Sequence, residues 1–260
     1  FNSVVQRSVR ETHEVLKQRG DKNISTLAVG GYLRPLKNEP TILSAHLGDS
    51  RVMIVRGETM IPMTLDHSPA PILALVGNDS RKALQLQSIY DDFVPLANQK
   101  TLSAAEIALL NTQVQRLGIK VDQTYGQALF SQSKSGKDYA TYRTEMTVPG
   151  AYPLKVFDAP LVEGIFTGRN GLGKAVGASS DNSNLIAFNS MKGEKGDTLL
   201  IPTDGFHDNV TTVQTIAIVQ KGGTDTDKSF ALFNEALRTS RAGTGRSKVD
   251  DISIGTLTIE

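Results

Sequence analysis

Between residues 41 and 64 the chain alternates short apolar runs with tight turns. Residues 41–47 (TILSAHL) and 51–56 (RVMIVR) are separated by Gly48-Asp49-Ser50, and Gly57-Glu58 precedes a further run at 60–64. Strands joined this closely pair antiparallel, because a parallel crossover takes about a dozen residues or more. The pattern predicts three strands, the first two joined as a hairpin through the Gly-Asp turn. The opening of the chain is thus expected to be a helix followed by an antiparallel meander.

The flanking segments fit that frame. Residues 1–19 read as an amphipathic helix with Val4, Val5, Val9, Val15 and Leu16 mainly on one face, stopped by Gly20. Residues 25–33 read as a strand weakened by paired glycines. In the last third, 197–203 (DTLLIPT) is an apolar strand that stops at Asp204-Gly205. Residues 210–219 and 227–237 have helical spacing, 238–248 reads as a basic Gly/Ser loop, and 251–259 closes the chain as an alternating strand. No period repeats. The class is α+β with mostly antiparallel strands.

The middle is different. Residues 80–87 have weak helical character, and Ser103-Ala104-Ala105-Glu106 is a capping box for a helix reaching about residue 116. Residues 139–148 alternate like a strand. Apolar content here is too thin to close a separate core. The expectation is one domain over 1–260 with an enlarged insertion or flap at about 70–160.

A formal net charge of +1 argues against a dedicated nucleic-acid binder. The absence of Cys excludes a disulfide scaffold, a thiolate metal site and a catalytic thiol. No apolar run reaches the roughly 18–20 residues that span a bilayer. The expected setting is therefore cytoplasmic, without membrane or nucleic acid as a partner.

Acidic residues at two strand ends are the strongest chemical signal. Asp204 stands where an apolar strand meets a glycine, and Asp250 and Asp251 precede the last strand. Carboxylates with few His and no Cys nearby suit hard cations such as Mg²⁺ or Mn²⁺. Asp-Gly is also the commonest turn dipeptide, so a plain turn competes with that reading. Gly168-Arg169-Asn170-Gly171-Leu172-Gly173-Lys174 has the spacing of a phosphate-binding loop, but Ala175 stands where a hydroxyl should hold Mg²⁺. His46, within a strand, reads as a packed residue, and His207 as an orienting or exposed one. Arg238, Arg241, Arg246 and Lys248 form a basic cluster that reads as a solvated loop, with phosphate recognition as the rival.

Taken in order, these pieces resemble the metal-dependent protein phosphatases of type 2C. Residues 25–29 (STLAV) resemble the family's G-S-T-A strand, and residues 45–51 (AHLGDSR) its A-N-V-G-D-S-R element. Residues 64–69 (TLDHSP) resemble L-T-x-D-H-x-P, and 172–177 (LGKAVG) resemble S-R-A-L-G in weakened form. Residues 199–208 (LLIPTDGFHD) resemble L-I-L-A-T-D-G-L-W-D, and 248–253 (KVDDIS) the closing D-N-I-T strand. The resemblance implies two antiparallel sheets packed face to face and flanked by helices. It implies a binuclear Mn²⁺ or Mg²⁺ centre whose bridging water attacks the phosphoester of a phosphoprotein. Asp204 and Asp250 would be metal ligands; Gly205, Asp208 and Asp251 would support them. The family's early D-G-H-G-G motif has no counterpart, since the only Asp-Gly is Asp204-Gly205. The chain is therefore expected to lack the N-terminal strands. Three readings stay open: a serine/threonine phosphatase, a pseudophosphatase that binds a protein partner with the same fold, and, as the weaker one, a nucleotide binder using Lys174.

Overall fold

The computed structural model describes residues 1–20, 25–34, 40–67, isolated positions between 84 and 116, 175–177, 183–243 and 248–260. The chain divides into two compact units: Phe1–Thr64 with Lys174–Glu260, and Leu65–Gly173.

The first unit opens with α1 (Asn2–Gln18), close to the expected 1–19. The strands are β1 (Leu27–Leu33), β2 (Thr41–Leu47), β3 (Met53–Arg56), β4 (Thr59–Pro62), β5 (Ala187–Lys192), β6 (Thr198–Pro202) and β7 (Ile254–Thr258). Between β6 and β7 lie α2 (Asp204–His207), α3 (Thr212–Gln220) and α4 (Asp225–Arg241). The strands form two antiparallel sheets, ordered β1-β2-β5 and β4-β3-β6-β7.

One local expectation is overturned. Gly48-Asp49-Ser50 does not close a hairpin. β2 pairs with β1 and β5, whereas β3 pairs with β4 and β6, so the turn carries the chain from one sheet to the other. Local turn chemistry is the same in both cases; what differs is where the next strand finds its partners. Gly48 is required at this crossing. Its φ is +106°, and a Cβ there would meet Thr26 Cγ2 at 2.4 Å. The next link is a two-residue hairpin, with Arg56 paired to Thr59 across Gly57-Glu58. β5 was not expected. It is a mostly half-exposed sequence (AFNSMK) without clean alternation, at one end of its sheet.

The layers follow from strand alternation. Ile42 of β2, Ile54 of β3 and Leu199 of β6 face one another between the sheets, with Val52, Met63 and Ile259. Ser44 and His46 share the inward face with Ile42 and are 0% and 1% exposed. Gly30 of β1 lets the sheets approach, since a Cβ there would lie 3.0 Å from Leu199 Cδ2 and 3.2 Å from Val52 Cγ1. The outer face of the first sheet, Ala45 and Leu47, packs on Val5 and Val9 of α1. The outer face of the second, Met53, Val55 and Leu200, is covered by Phe206, Val219, Leu232 and Ala236 from α2, α3 and α4. The result is helix, sheet, sheet, helices, the fold class expected.

Both long C-terminal helices start at capping boxes, Thr211 with Gln214 and Thr224 with Asp227. α4 extends to Arg241, so part of the expected 238–248 loop is helix.

In the second unit, Leu84, Gln87 and Asp91, and Ala105, Gln113 and Arg116, are helical. The buried Gln87 side chain accepts the Asp66 backbone N–H at 2.8 Å. The strand-like run at 139–148, and residues 168–174 of the phosphate-loop reading, lie outside the described residues. Ala175 and Val176 are described and buried, and Val176 forms an antiparallel bridge with Ser25. Among the described residues no helix is long and apolar enough to cross a membrane.

A bidentate ion pair clamps β3 to the turn before β6. Arg56 Nε and Nη2 donate to the Asp197 carboxylate at 2.8 and 2.7 Å. Asp197 is 1% exposed and also accepts the Glu194 N–H. Removing the guanidinium strands a buried carboxylate. Arg56→Met should lower stability by about 3 kcal/mol, the low end for breaking a buried pair because Arg56 is 28% exposed. Denaturant unfolding at neutral pH reads this directly.

Candidate active site

The site grows from the end of β6. The strand stops at Pro202, Thr203 takes an extended conformation, and the chain turns into the single helical turn Asp204–His207. Phe206 anchors that turn in the core at 1% exposure. Asp204 and Asp208, four residues apart, share one side of the turn. Asn209, 0% exposed, follows and donates to the Gly205 carbonyl at 2.7 Å.

A second segment, 248–253, runs alongside. Thr203 Oγ1 donates to the Asp251 carbonyl at 2.9 Å and accepts the Ser253 N–H at 3.0 Å. The approach is close enough to require glycine at 205. A Cβ there would lie 2.3 Å from the Asp251 carbonyl oxygen and 3.3 Å from Asp250 Cβ.

Lys248 stands at the centre. Its Nζ is 2.7 Å from Asp204 Oδ2, 2.8 Å from Asp208 Oδ2 and 2.9 Å from Asp250 Oδ2. The structure thus brings together Asp204, Asp208 and Asp250, with Gly205 as the close-contact point. Asp251 is placed differently: its side chain is exposed and its backbone does the joining, its N–H donating to Asp250 Oδ1 at 2.9 Å.

Lys248 corrects the reading of 238–248 as a solvated basic loop. Arg238 and Arg241 do end a helix at the surface, but the Lys248 side chain is only 12% exposed. Arg246 lies outside the described residues. In the sequence nothing beyond its place two residues before Asp250 marks Lys248 out. For His207 the exposed alternative is removed, since the residue is 7% exposed, and the orienting one is left. Its Nε2 lies 3.2 Å from the Asp49 carbonyl oxygen, which ties the sheet crossing to the acidic turn.

The electrostatics are strongly coupled. Burial alone would push the Asp208 carboxyl up, but His207 and Lys248 outweigh it and hold Asp208 far below the usual carboxylate range. Burial would pull the Lys248 ammonium down, yet Asp208 and Asp204 raise it well above an ordinary lysine. Asp250 is likewise lowered: burial acts against the shift, and Lys248 and the Asp251 N–H overcome it.

A divalent ion does not fit the residues as arranged. Its place is filled by the ammonium, with oxygens at 2.7–2.9 Å, whereas Mg²⁺ takes its oxygens at about 2.0–2.1 Å. Among the described residues no group of three or more His, Asp or Glu side chains is set out to hold a metal ion.

A helix-flanked pair of antiparallel sheets with an acidic turn at one strand end defines a class, and comparison with known proteins points to the same one. Residues 2–72 match the model of the family Protein phosphatase 2C. A serine/threonine phosphatase of S. agalactiae shares the fold with a TM-score of 0.52 at 16% identity, over 98% of this chain and 68% of that one. The serine/threonine phosphatase Stp1 of Staphylococcus aureus gives 0.49 at 16% identity, over 100% of this chain and 66% of that one. This chain therefore spans about two thirds of their length. No curated protein sequence matches with significance. The resemblance to type 2C protein phosphatases thus holds in sequence at the N-terminal part and in fold across the chain.

Two outcomes test the site. Gly205→Ala should cost about 1–3 kcal/mol, as expected for forcing a carbon into a full space, measured by denaturant unfolding. Asp208 should contribute stability in full above the ordinary carboxylate value of 3.8 and lose it as pH falls further, because its folded value is depressed. The stability deficit of Asp208→Asn should therefore be present at neutral pH and narrow below that value, in thermal melts across pH.

Proposed function

We propose that this chain forms the body of a metal-dependent protein serine/threonine phosphatase domain whose substrate is a phosphoprotein. One observation carries the reading. Asp204 and Asp250 come from different segments of the chain, yet their carboxylates converge on one point at the end of the second sheet. Hard oxygen donors are the type that Mn²⁺ or Mg²⁺ takes, and such an ion, were it bound here, would supply Lewis-acid help to phosphoester hydrolysis. The ion's place is open only once Lys248 Nζ withdraws. The protein's own contribution is to fix the acidic turn: Phe206 anchors it, Asn209 ties it to the 248–253 segment, and Gly205 lets the two meet.

On this reading residues 1–260 work as one phosphatase-like domain, and 70–160 is an insertion that bears on substrate choice. A pseudophosphatase is the second reading. It is favoured by Lys248, which already pairs with the carboxylates without any metal.

Turnover of a phosphothreonine peptide in Mn²⁺ by the natural-length protein separates the two. Hydrolysis that Asp204→Asn or Asp250→Asn reduces by about a hundredfold or more supports the phosphatase; even groups that only support metal ligands change affinity or activity by about 10–100-fold. A folded protein with no turnover supports the pseudophosphatase.

A further inference from the structure

We infer that Lys248 is a tethered cation that holds the place between Asp204, Asp208 and Asp250, so that a divalent ion enters only by displacing it. This rests on the reading of Asp204 and Asp250 as a metal pair.

The contacts are those of a filled position. An ammonium carries three N–H donors, and three carboxylate oxygens surround Nζ at 2.7, 2.8 and 2.9 Å. An ion bound to the same oxygens would draw them closer than an N–H···O contact allows, so ammonium and metal exclude each other.

The lysine is also built into place by its backbone. Its N–H donates to Asn209 Oδ1 at 2.9 Å. Its carbonyl accepts from Asn209 Nδ2 at 2.9 Å and from Ser240 Oγ at 2.8 Å. Asn209 in turn holds the Gly205 carbonyl, within the turn that carries Asp204 and Asp208. Cation and carboxylates therefore belong to one hydrogen-bonded unit. Three carboxylates against one ammonium still leave negative charge in excess, so the cluster keeps an attraction for a dication even while Lys248 opposes it. His207, with Nδ1 3.6 Å from Asp208 Oδ1, is the other basic group facing the cluster among the described contacts.

The consequence is a metal-free state whose carboxylate charge is partly offset and ordered, and a weakened apparent affinity for metal. It is tested by calorimetric titration of this chain with MnCl₂, comparing the unaltered sequence with Lys248→Met, Lys248→Arg and Lys248→Met/Asp250→Asn, beside thermal melts without metal. Lys248→Met should bind Mn²⁺ about tenfold or more tightly than the unaltered chain, the scale on which neighbours of metal ligands act. Lys248→Arg should stay near the unaltered chain, and adding Asp250→Asn should remove the gain. Metal-free Lys248→Met should melt lower, and Mn²⁺ should raise its melting temperature.

Equal Mn²⁺ affinity in the unaltered chain and folded Lys248→Met overturns the tethered-cation inference and leaves the metal-pair reading standing. A folded Lys248→Met that binds no Mn²⁺ overturns both. If Lys248→Met is unfolded without metal, refolding on addition of Mn²⁺ is the same exchange and supports the inference. Failure to refold with Mn²⁺, while Lys248→Arg is folded, overturns it.

Discussion

Charge taken out of water has to be paired, and the acidic turn after β6 is organised around that requirement. Asp208 is 5% exposed, and Asp204 and Asp250 sit beside it at the sheet end. Left alone, such carboxylates would repel one another and carry a large desolvation cost. Lys248 reduces both costs at once. Everything around it then has to keep two segments distant in sequence within hydrogen-bonding reach. Asn209 does so by bonding to both, and Gly205 does so by having no side chain.

The sandwich supplies the rigid frame for that turn. β6 is an interior strand, paired with β3 on one side and β7 on the other, with Leu199 facing the inter-sheet core and Leu200 the helices. A strand held on both edges and both faces ends at a well-defined point, so the first residues beyond it are held in a fixed place. Gly30 matters from the opposite sheet, because it lets Leu199 and Val52 come close. The sheet crossing at Gly48-Asp49-Ser50 ends beside the same turn, where the Asp49 carbonyl faces His207.

A shared fold does not by itself define chemistry. The likeness to type 2C phosphatases establishes the two-sheet architecture here. The particular residues at the end of β6 decide what that architecture does, and in this chain they include a lysine inside the carboxylate cluster. That is the feature to weigh in comparing this protein with bacterial phosphatases of similar fold.

Much of the fold was legible from the residues. The valines of α1 at helical spacing, the apolar runs at 41–47 and 197–203, the Gly57 turn and the strand near the end all report on short-range physics: which side chains avoid water, and which backbone angles a turn needs. Asp204 and Asp250 stand out for the same reason, as carboxylates at strand ends, whereas Asp208 is singled out only by the family resemblance. Sheet membership was not legible, because β2 and β3 are each good strands whatever they pair with. β5 was missed because a polar, half-exposed strand has little pattern to show. Lys248 gives no such signal, since one lysine in a basic Gly/Ser stretch looks like any solvated lysine until the partner carboxylates are in place. The sequence by itself determined the elements and the chemical types gathered at their ends, through local propensity and hydrophobic pattern. Only the tertiary structure decided which strands share a sheet, and which cation neutralises the acidic turn, because both depend on contacts between segments that the order of residues does not join.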